Sequence, residues 1–247
     1  MKKSIFLIIS MAICSISYGQ YAGQTATNMA AGDGGLGGGE IATLLGPISE
    51  NREKNKDIYA EFQGSPYTSN EFALTTMYYG DENLGKIYYR YNALNGEIEI
   101  KKSERESETI KSLSRDKKIS ILVDGKKMSF MTFITAKDKT LNGYLITLSN
   151  RGPFKLFKRT HVKYTEGKPA ANSFVKAVPS RFSQYTEYYL QKEEVNRIDE
   201  ITLKNSKLLK LIDDASKRES LKNYLKENSM NIKEETHLIQ AFNFLNE

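Results

Sequence analysis

The chain has 247 residues, 36 lysines and arginines against 30 aspartates and glutamates, and a single cysteine. That length accommodates one large domain or two small ones, and a formal charge of +6 is too mild to call for nucleic acid as a partner. One cysteine excludes an internal disulfide framework and a cysteine-built metal site.

Residues 1–19 read as a cleavable signal peptide. Lys2 and Lys3 precede the uncharged run from Ile5 to Ile16, and Ser17-Tyr18-Gly19 puts small residues where a signal peptidase needs them, before Gln20. The run is shorter than the roughly 20 apolar residues of a spanning helix. Cys14 lies inside it behind Ile13, a poor fit to lipoprotein processing, so the mature chain is expected to start at Gln20 without a lipid anchor.

Residues 20–50 form a glycine-rich arm centred on Gly32-Asp33-Gly34-Gly35-Leu36-Gly37-Gly38-Gly39. Such a segment loses too much backbone entropy to order alone, and is expected to be flexible until it meets a partner. Gly32 to Gly37 has GxGxxG spacing, but no strand precedes it as a dinucleotide site requires, and no cofactor is expected.

Residues 51–195 read as an antiparallel β domain of about eight strands in hairpins and meanders. Asn95-Gly96 is a preferred type I′ pair, and a two-residue loop there sets Ala93 opposite Ile98 and Tyr91 opposite Ile100. Asp124-Gly125 likewise sets Ile121 opposite Met128 and leaves Ser120, Lys127 and Ser129 on the other face. Asn142-Gly143 and Asn150-Arg151-Gly152-Pro153 bracket a run from Tyr144 to Ser149, and Phe154 to Tyr164 alternates after it. Further strands fall near Phe72 to Tyr79 and Phe182 to Leu190.

Residues 196–247 change to a period of 3.6. Leu208, Leu211 and Ile212 mark one helix, Leu221, Tyr224 and Leu225 a second, and Leu238, Ile239, Phe242 and Leu245 a third. Ser216 with Glu219 and Asn231 with Glu234 have the spacing of helix caps. The fold class is therefore α+β, with three C-terminal helices closing the sheet.

Several stretches resemble a widespread, largely uncharacterised group of secreted proteins of the phylum Bacteroidota. They are Gly64-Ser65-Pro66-Tyr67, Tyr89-Arg90-Tyr91-Asn92-Ala93, Glu97-Ile98-Glu99-Ile100, Lys155-Leu156-Phe157 and the helical close to Asn246. The resemblance implies export and a β-rich fold, and its motifs carry no active site. Surface proteins sent out by the type 9 route in this phylum usually end in a β-sandwich sorting domain. The helical end here implies the periplasm or the inner side of the outer membrane as the expected location.

Candidate chemistry is sparse. His161 and His237 lack ligand spacing to each other, Ser114 with Lys117 and Ser173 with Lys176 have SxxK spacing without its companion motifs, and Glu104, Glu106 and Glu108 read as a solvated run. The clearest feature is cationic. From Arg151 to Arg181 the chain carries eight lysines and arginines against Glu166 alone, and on a strand Lys155, Arg159, His161 and Lys163 share a face. Lys155, Lys158, Arg159, His161 and Lys163 are the candidate docking surface. The expected partner is an outer-membrane or envelope protein complex, or an anionic lipid surface. The expectation is a non-catalytic soluble periplasmic accessory or plug subunit of an outer-membrane secretion or assembly complex, the type 9 route included. A periplasmic hydrolase and a carrier of an apolar ligand are the alternatives.

Overall fold

The computed structural model describes residues 62–247 apart from Ala171 and Ser173. The signal peptide, the glycine-rich arm with its GxGxxG spacing, and residues 51–61 of the β domain lie outside these residues. The order of elements is β1 (Ala73–Tyr79), β2 (Glu82–Asn92), β3 (Glu97–Lys101), β4 (Lys111–Ser112), β5 (Ile119–Val123), β6 (Lys126–Ile134), β7 (Thr140–Ser149), β8 (Phe154–Thr165), β9 (Arg181–Lys192) and β10 (Asp199–Glu200). Helices α1 (Asn205–Lys210), α2 (Ala215–Glu227) and α3 (Glu235–Leu245) follow.

The α+β class holds, but the described residues form a sheet of ten strands rather than about eight. The extra strands β4 and β10 have two residues each, too few to show a period of two in sequence. β10 also begins inside the stretch from residue 196 that was expected to be helical. The strand order is β10-β9-β8-β7-β6-β5-β1-β2-β3-β4, and β10 pairs in addition with β6, through Asp199 beside Ile134. That parallel contact, like the isolated Gln63–Arg181 bridge, departs from an all-antiparallel sheet, and it closes β6 to β10 into a five-stranded ring.

Side-chain alternation then sorts the core into three parts. Phe133, Leu145, Phe157, Tyr189 and Ile198 fill the ring, with the Phe133 and Tyr189 rings edge to face at 4.8 Å between centroids. On the opposite face Leu156, Tyr188 and Leu190 meet Leu208, Leu221, Leu238 and Phe242 of the helices. Farther along, Met77, Ile87, Ile98, Ile121 and Val162 pack between the β1–β5 strands and the outer half of β8. Full burial of each such side chain contributes about 1.5–3 kcal/mol.

The two hairpins came out differently. At Asp124-Gly125 both residues take positive φ, 50° and 75°, and Ile121 pairs with Met128 as the turn chemistry requires. At Asn95-Gly96 only Gly96 has positive φ, and Tyr91 pairs with Ile98 and Tyr89 with Ile100, two residues off the expected register. The cause is the segment before β1. The Pro66 carbonyl accepts from the Ala93 and Leu94 amides, and Asn92 Oδ1 accepts from the Leu94 amide, drawing both residues out of the ladder.

Asn142-Gly143 is not a turn either. It lies within β7, while the chain reverses at Thr135–Lys139 with Asp138 at φ 55°. Gly143 stands against the Phe133 ring, where a Cβ would sit 3.4 Å from it, so the glycine leaves room for the ring core. The cap of α2 is Asp214, whose carboxylate accepts from the Ser216 and Lys217 amides, rather than Ser216. At α3 the capping residue is Glu234 without a side-chain cap bond, and Asn231 bonds its side chain instead.

Candidate functional site

The cationic face sits on the long β8–β9 ribbon, paired without a break from Phe154 opposite Lys192 to Thr165 opposite Arg181. Alternation puts Lys155, Arg159, His161 and Lys163 on the same face as Phe157, as expected, and Lys158 on the other. Lys158 Nζ lies 2.7 Å from Glu235 Oε2 and so fastens β8 to the first turn of α3. Burial opposes the Glu235 carboxylate, yet the Lys158 ammonium and the Tyr188 hydroxyl outweigh it and hold the carboxyl below its ordinary value.

The middle of the face is internally paired. Arg159 Nη1 donates to Glu187 Oε2 at 2.9 Å, and its guanidinium stands 5.0 Å from the Phe133 ring centre, at the rim of the ring core. The Tyr189 hydroxyl donates to the same Glu187 oxygen at 2.7 Å, and burial together with that carboxylate raises its pKa well above the ordinary tyrosine value. His161 stacks on Tyr185 at 5.4 Å, with its Nδ1 3.7 Å from Glu187 Oε1, too far for a hydrogen bond. Burial lowers the His161 pKa, and the nearby Arg159 adds to this against the pull of Glu187 and Glu200. Only Lys155 and Lys163 of the five candidate residues are cations without an ion pair among the described residues. They stand at opposite ends of the strand, roughly 26 Å apart at about 3.3 Å per residue.

Further cations without an ion pair among the described residues lie past Lys163, where the chain leaves β8 and returns at Arg181. The excursion has a firm root. The rings of Phe62, Tyr164 and Phe182 cluster at 5.5 to 5.8 Å, the Tyr164 hydroxyl donates to Ser180 Oγ, and so does the Gly167 amide. Lys168 and Val178 exchange backbone hydrogen bonds of 2.8 Å. A Cβ on Gly167 would come within 2.3 Å of the Val178 carbonyl, so the crossing requires glycine there.

Beyond this root a turn at Asn172, whose Oδ1 accepts from the Phe174 amide and whose carbonyl accepts from the Val175 amide, sends Phe174 outward. Phe174 is 96% exposed, Val178 57% and Val175 49%. Lys163, Lys168, Lys176 and Arg181 lie in the same stretch of sequence, none in an ion pair among the described residues, and Glu166 is the single carboxylate between Lys163 and Arg181. These charges belong to the basic segment evident in the sequence, but they lie beyond the strand face expected to dock. The signal missed in the sequence was the apolar pair Phe174-Val175 with Val178 between Pro169 and Pro179, in a segment otherwise small and basic.

A concavity of about 370 Å³ at the β3–β4 connection is lined by Ile87 and Ile100 and by Lys101, Lys102, Glu108 and Lys111. The Ser103 hydroxyl holds the Glu108 carboxylate, helped by the Lys102 amide, and lowers its pKa. Glu104 and Glu106 are exposed in the same connection. The Ser114 carbonyl accepts from the Tyr144 hydroxyl, and Ser173 is outside the described residues. His237 accepts from the Asn231 amide at the base of α3, remote in sequence from His161. Among the described residues no group of three or more His, Cys, Asp or Glu gathers as a metal site, and no helix is long and apolar enough to cross a membrane.

The residues behind the family resemblance assemble as structure. Arg90 bonds the buried Glu99 through Nη2 at 2.7 Å while its guanidinium lies 3.9 Å from the Tyr67 ring centre and 4.6 Å from that of Phe72. Asn246 Oδ1 accepts from the Phe154 amide and its Nδ2 donates to the Phe154 carbonyl, so the end of the helical layer locks the start of β8. No protein family, no curated protein and no solved structure matches the chain.

Proposed function

We infer that this is a non-catalytic, exported envelope protein that works by docking, held in the periplasm and peripheral to a larger outer-membrane secretion or assembly complex. Its docking element is the excursion between β8 and β9 rather than the face of β8. The observation that carries this reading is a wholly exposed phenylalanine on a rooted turn, in a stretch whose four cations from Lys163 to Arg181 make no ion pair among the described residues. A fully exposed Phe gives up burial that a monomer would use, and lysines without carboxylate partners favour an anionic counterpart. The five residues of the strand face fit the role less well, because Lys158 and Arg159 are committed to Glu235 and Glu187.

The test is affinity capture of the exported protein from membranes dissolved in mild detergent. Phe174→Ser with Val178→Ser, and separately Lys168→Glu with Lys176→Glu, should each reduce capture of envelope components several-fold, the charge variant most clearly at low salt. Lys155→Glu should leave capture within about twofold. Full capture by both tip variants would refute the reading.

A further inference from the structure

We propose that the excursion between β8 and β9 is a membrane-inserting tip, which seats Phe174 among the acyl chains of an anionic phospholipid leaflet while Lys163, Lys168, Lys176 and Arg181 lie against the headgroups. The proposal rests on the docking reading and names its counterpart.

Size decides between a bilayer and a folded protein. A specific protein interface buries on the order of 800 Å² on each partner around a central packed patch. Here the exposed apolar group is small, with Phe174 almost wholly exposed, Val175 and Val178 about half exposed, and the root occupied by the Phe62, Tyr164 and Phe182 rings. A single projecting ring offers a protein little area, but a leaflet closes around whatever enters it. An exposed apolar ring in a basic stretch is the make-up of an interfacial anchor, because long basic side chains reach headgroup phosphates while the ring sits deeper. Anionic headgroups attract such cations over about a Debye length, roughly 8–10 Å at physiological salt, which makes the contact sensitive to lipid charge and to salt.

The root explains why the ring can enter without disturbing the fold. Ser180 Oγ, the Lys168–Val178 pair and the glycine crossing at Gly167 hold the base of the excursion, and no core side chain belongs to the part that projects. One short tip with four cations supports reversible association rather than permanent anchoring, as a single weak membrane signal does.

The chain contains no tryptophan, so Phe174→Trp creates a single reporter at the tip. The exported protein is mixed with vesicles of phosphatidylethanolamine with about one-quarter phosphatidylglycerol, and with vesicles of phosphatidylcholine alone. The expected result is a blue-shifted Trp emission with the anionic vesicles, quenched by lipids brominated on the acyl chain, absent with phosphatidylcholine and largely reversed by half-molar salt. Co-sedimentation of the unaltered protein should fall several-fold for Phe174→Ser and for Lys168→Glu with Lys176→Glu. Unchanged emission with anionic vesicles, or equal sedimentation of parent and variants, overturns the proposal. If the tip variants lose a detergent-solubilised protein partner while emission stays unchanged, the docking reading stands and the lipid assignment alone is wrong.

Discussion

At residues 154–158 the β8–β9 ribbon is covered on both faces, with Leu156 under the helices and Phe157 inside the ring, whereas at residues 163–181 its apolar groups meet water. The register is continuous up to Thr165 opposite Arg181, where the far end leaves the strands, and both ends mix lysine with large apolar side chains. Alternation alone therefore assigns faces but not roles. What differs is the neighbour across each face: Lys158 is paired with Glu235 of the helical layer and Arg159 with Glu187 directly across the ribbon, whereas no cation from Lys163 to Arg181 is in an ion pair among the described residues. An apolar residue beside an unpaired lysine is a docking signal only where no second layer arrives.

The sharpest way to break this contrast is to truncate one large side chain at each end. Leu156→Ala should cost about 2–5 kcal/mol, since it removes a fully buried side chain from the sheet–helix contact and leaves a cavity. Phe174→Ala should stay within about 0.5 kcal/mol despite deleting a larger group, because nothing packs on it. Denaturant melts of the two variants decide the matter. A large loss at Phe174 would mean that the excursion is folded into the core.

The covered end also has a lock that the far end lacks. Asn246→Ala should destabilise by about 1–2 kcal/mol, as the Phe154 amide and carbonyl lose both of their side-chain partners. Gly152 faces the same side chain at φ 84°, and a Cβ there would lie 2.8 Å from Asn246, so Gly152→Ala should act in the same direction. Amide exchange at Phe154 should quicken in either variant. Unaltered protection would show that the helices hold the ribbon without this lock.

Away from the ribbon, Gly125→Val should cost about 1 kcal/mol or more, since its φ of 75° is one that a β-branched residue resists. The same turn shows how much was legible in the sequence. Where a short loop was free to follow its own chemistry, as at Asp124-Gly125, turn type fixed register and register fixed which side chains are core. At Asn95-Gly96 the carbonyl of Pro66, distant in sequence, overrode the local preference, and no pattern within the hairpin records that bond. The helices were legible from their apolar period, but the cap at Asp214 was hidden by a better-looking pair two residues on. Ring closure through β10 rests on a pair of residues and a single parallel contact, beneath any periodic signal. For the candidate site, composition located the basic segment and strand alternation located the face. Neither could show that Glu187 and Glu235 would neutralise its middle, because both partners arrive from other elements.

His161 marks the boundary between the two ends and gives the smallest expected effect. Its ring is partly buried against Tyr185, beside Arg159, and its pKa is lowered from the ordinary value of 6.5, burial being the main cause. A base with a depressed folded pKa binds its proton more readily in the unfolded chain, so between the folded value and 6.5 the unfolded state carries more protons. Stability contributed by neutral His161 is therefore complete above 6.5 and is lost as pH falls toward the folded value. The Glu187 carboxylate limits the loss by favouring the charged ring, and Arg159 opposes that help. Melting temperature followed from pH 7.5 down to 5 should decline in the unaltered protein, and the part of that slope due to this residue should vanish in His161→Gln. His237→Gln separates out the other histidine. If His161→Gln keeps the full slope, the ring is not desolvated where the ribbon leaves the core, and the covered end stops short of Arg159.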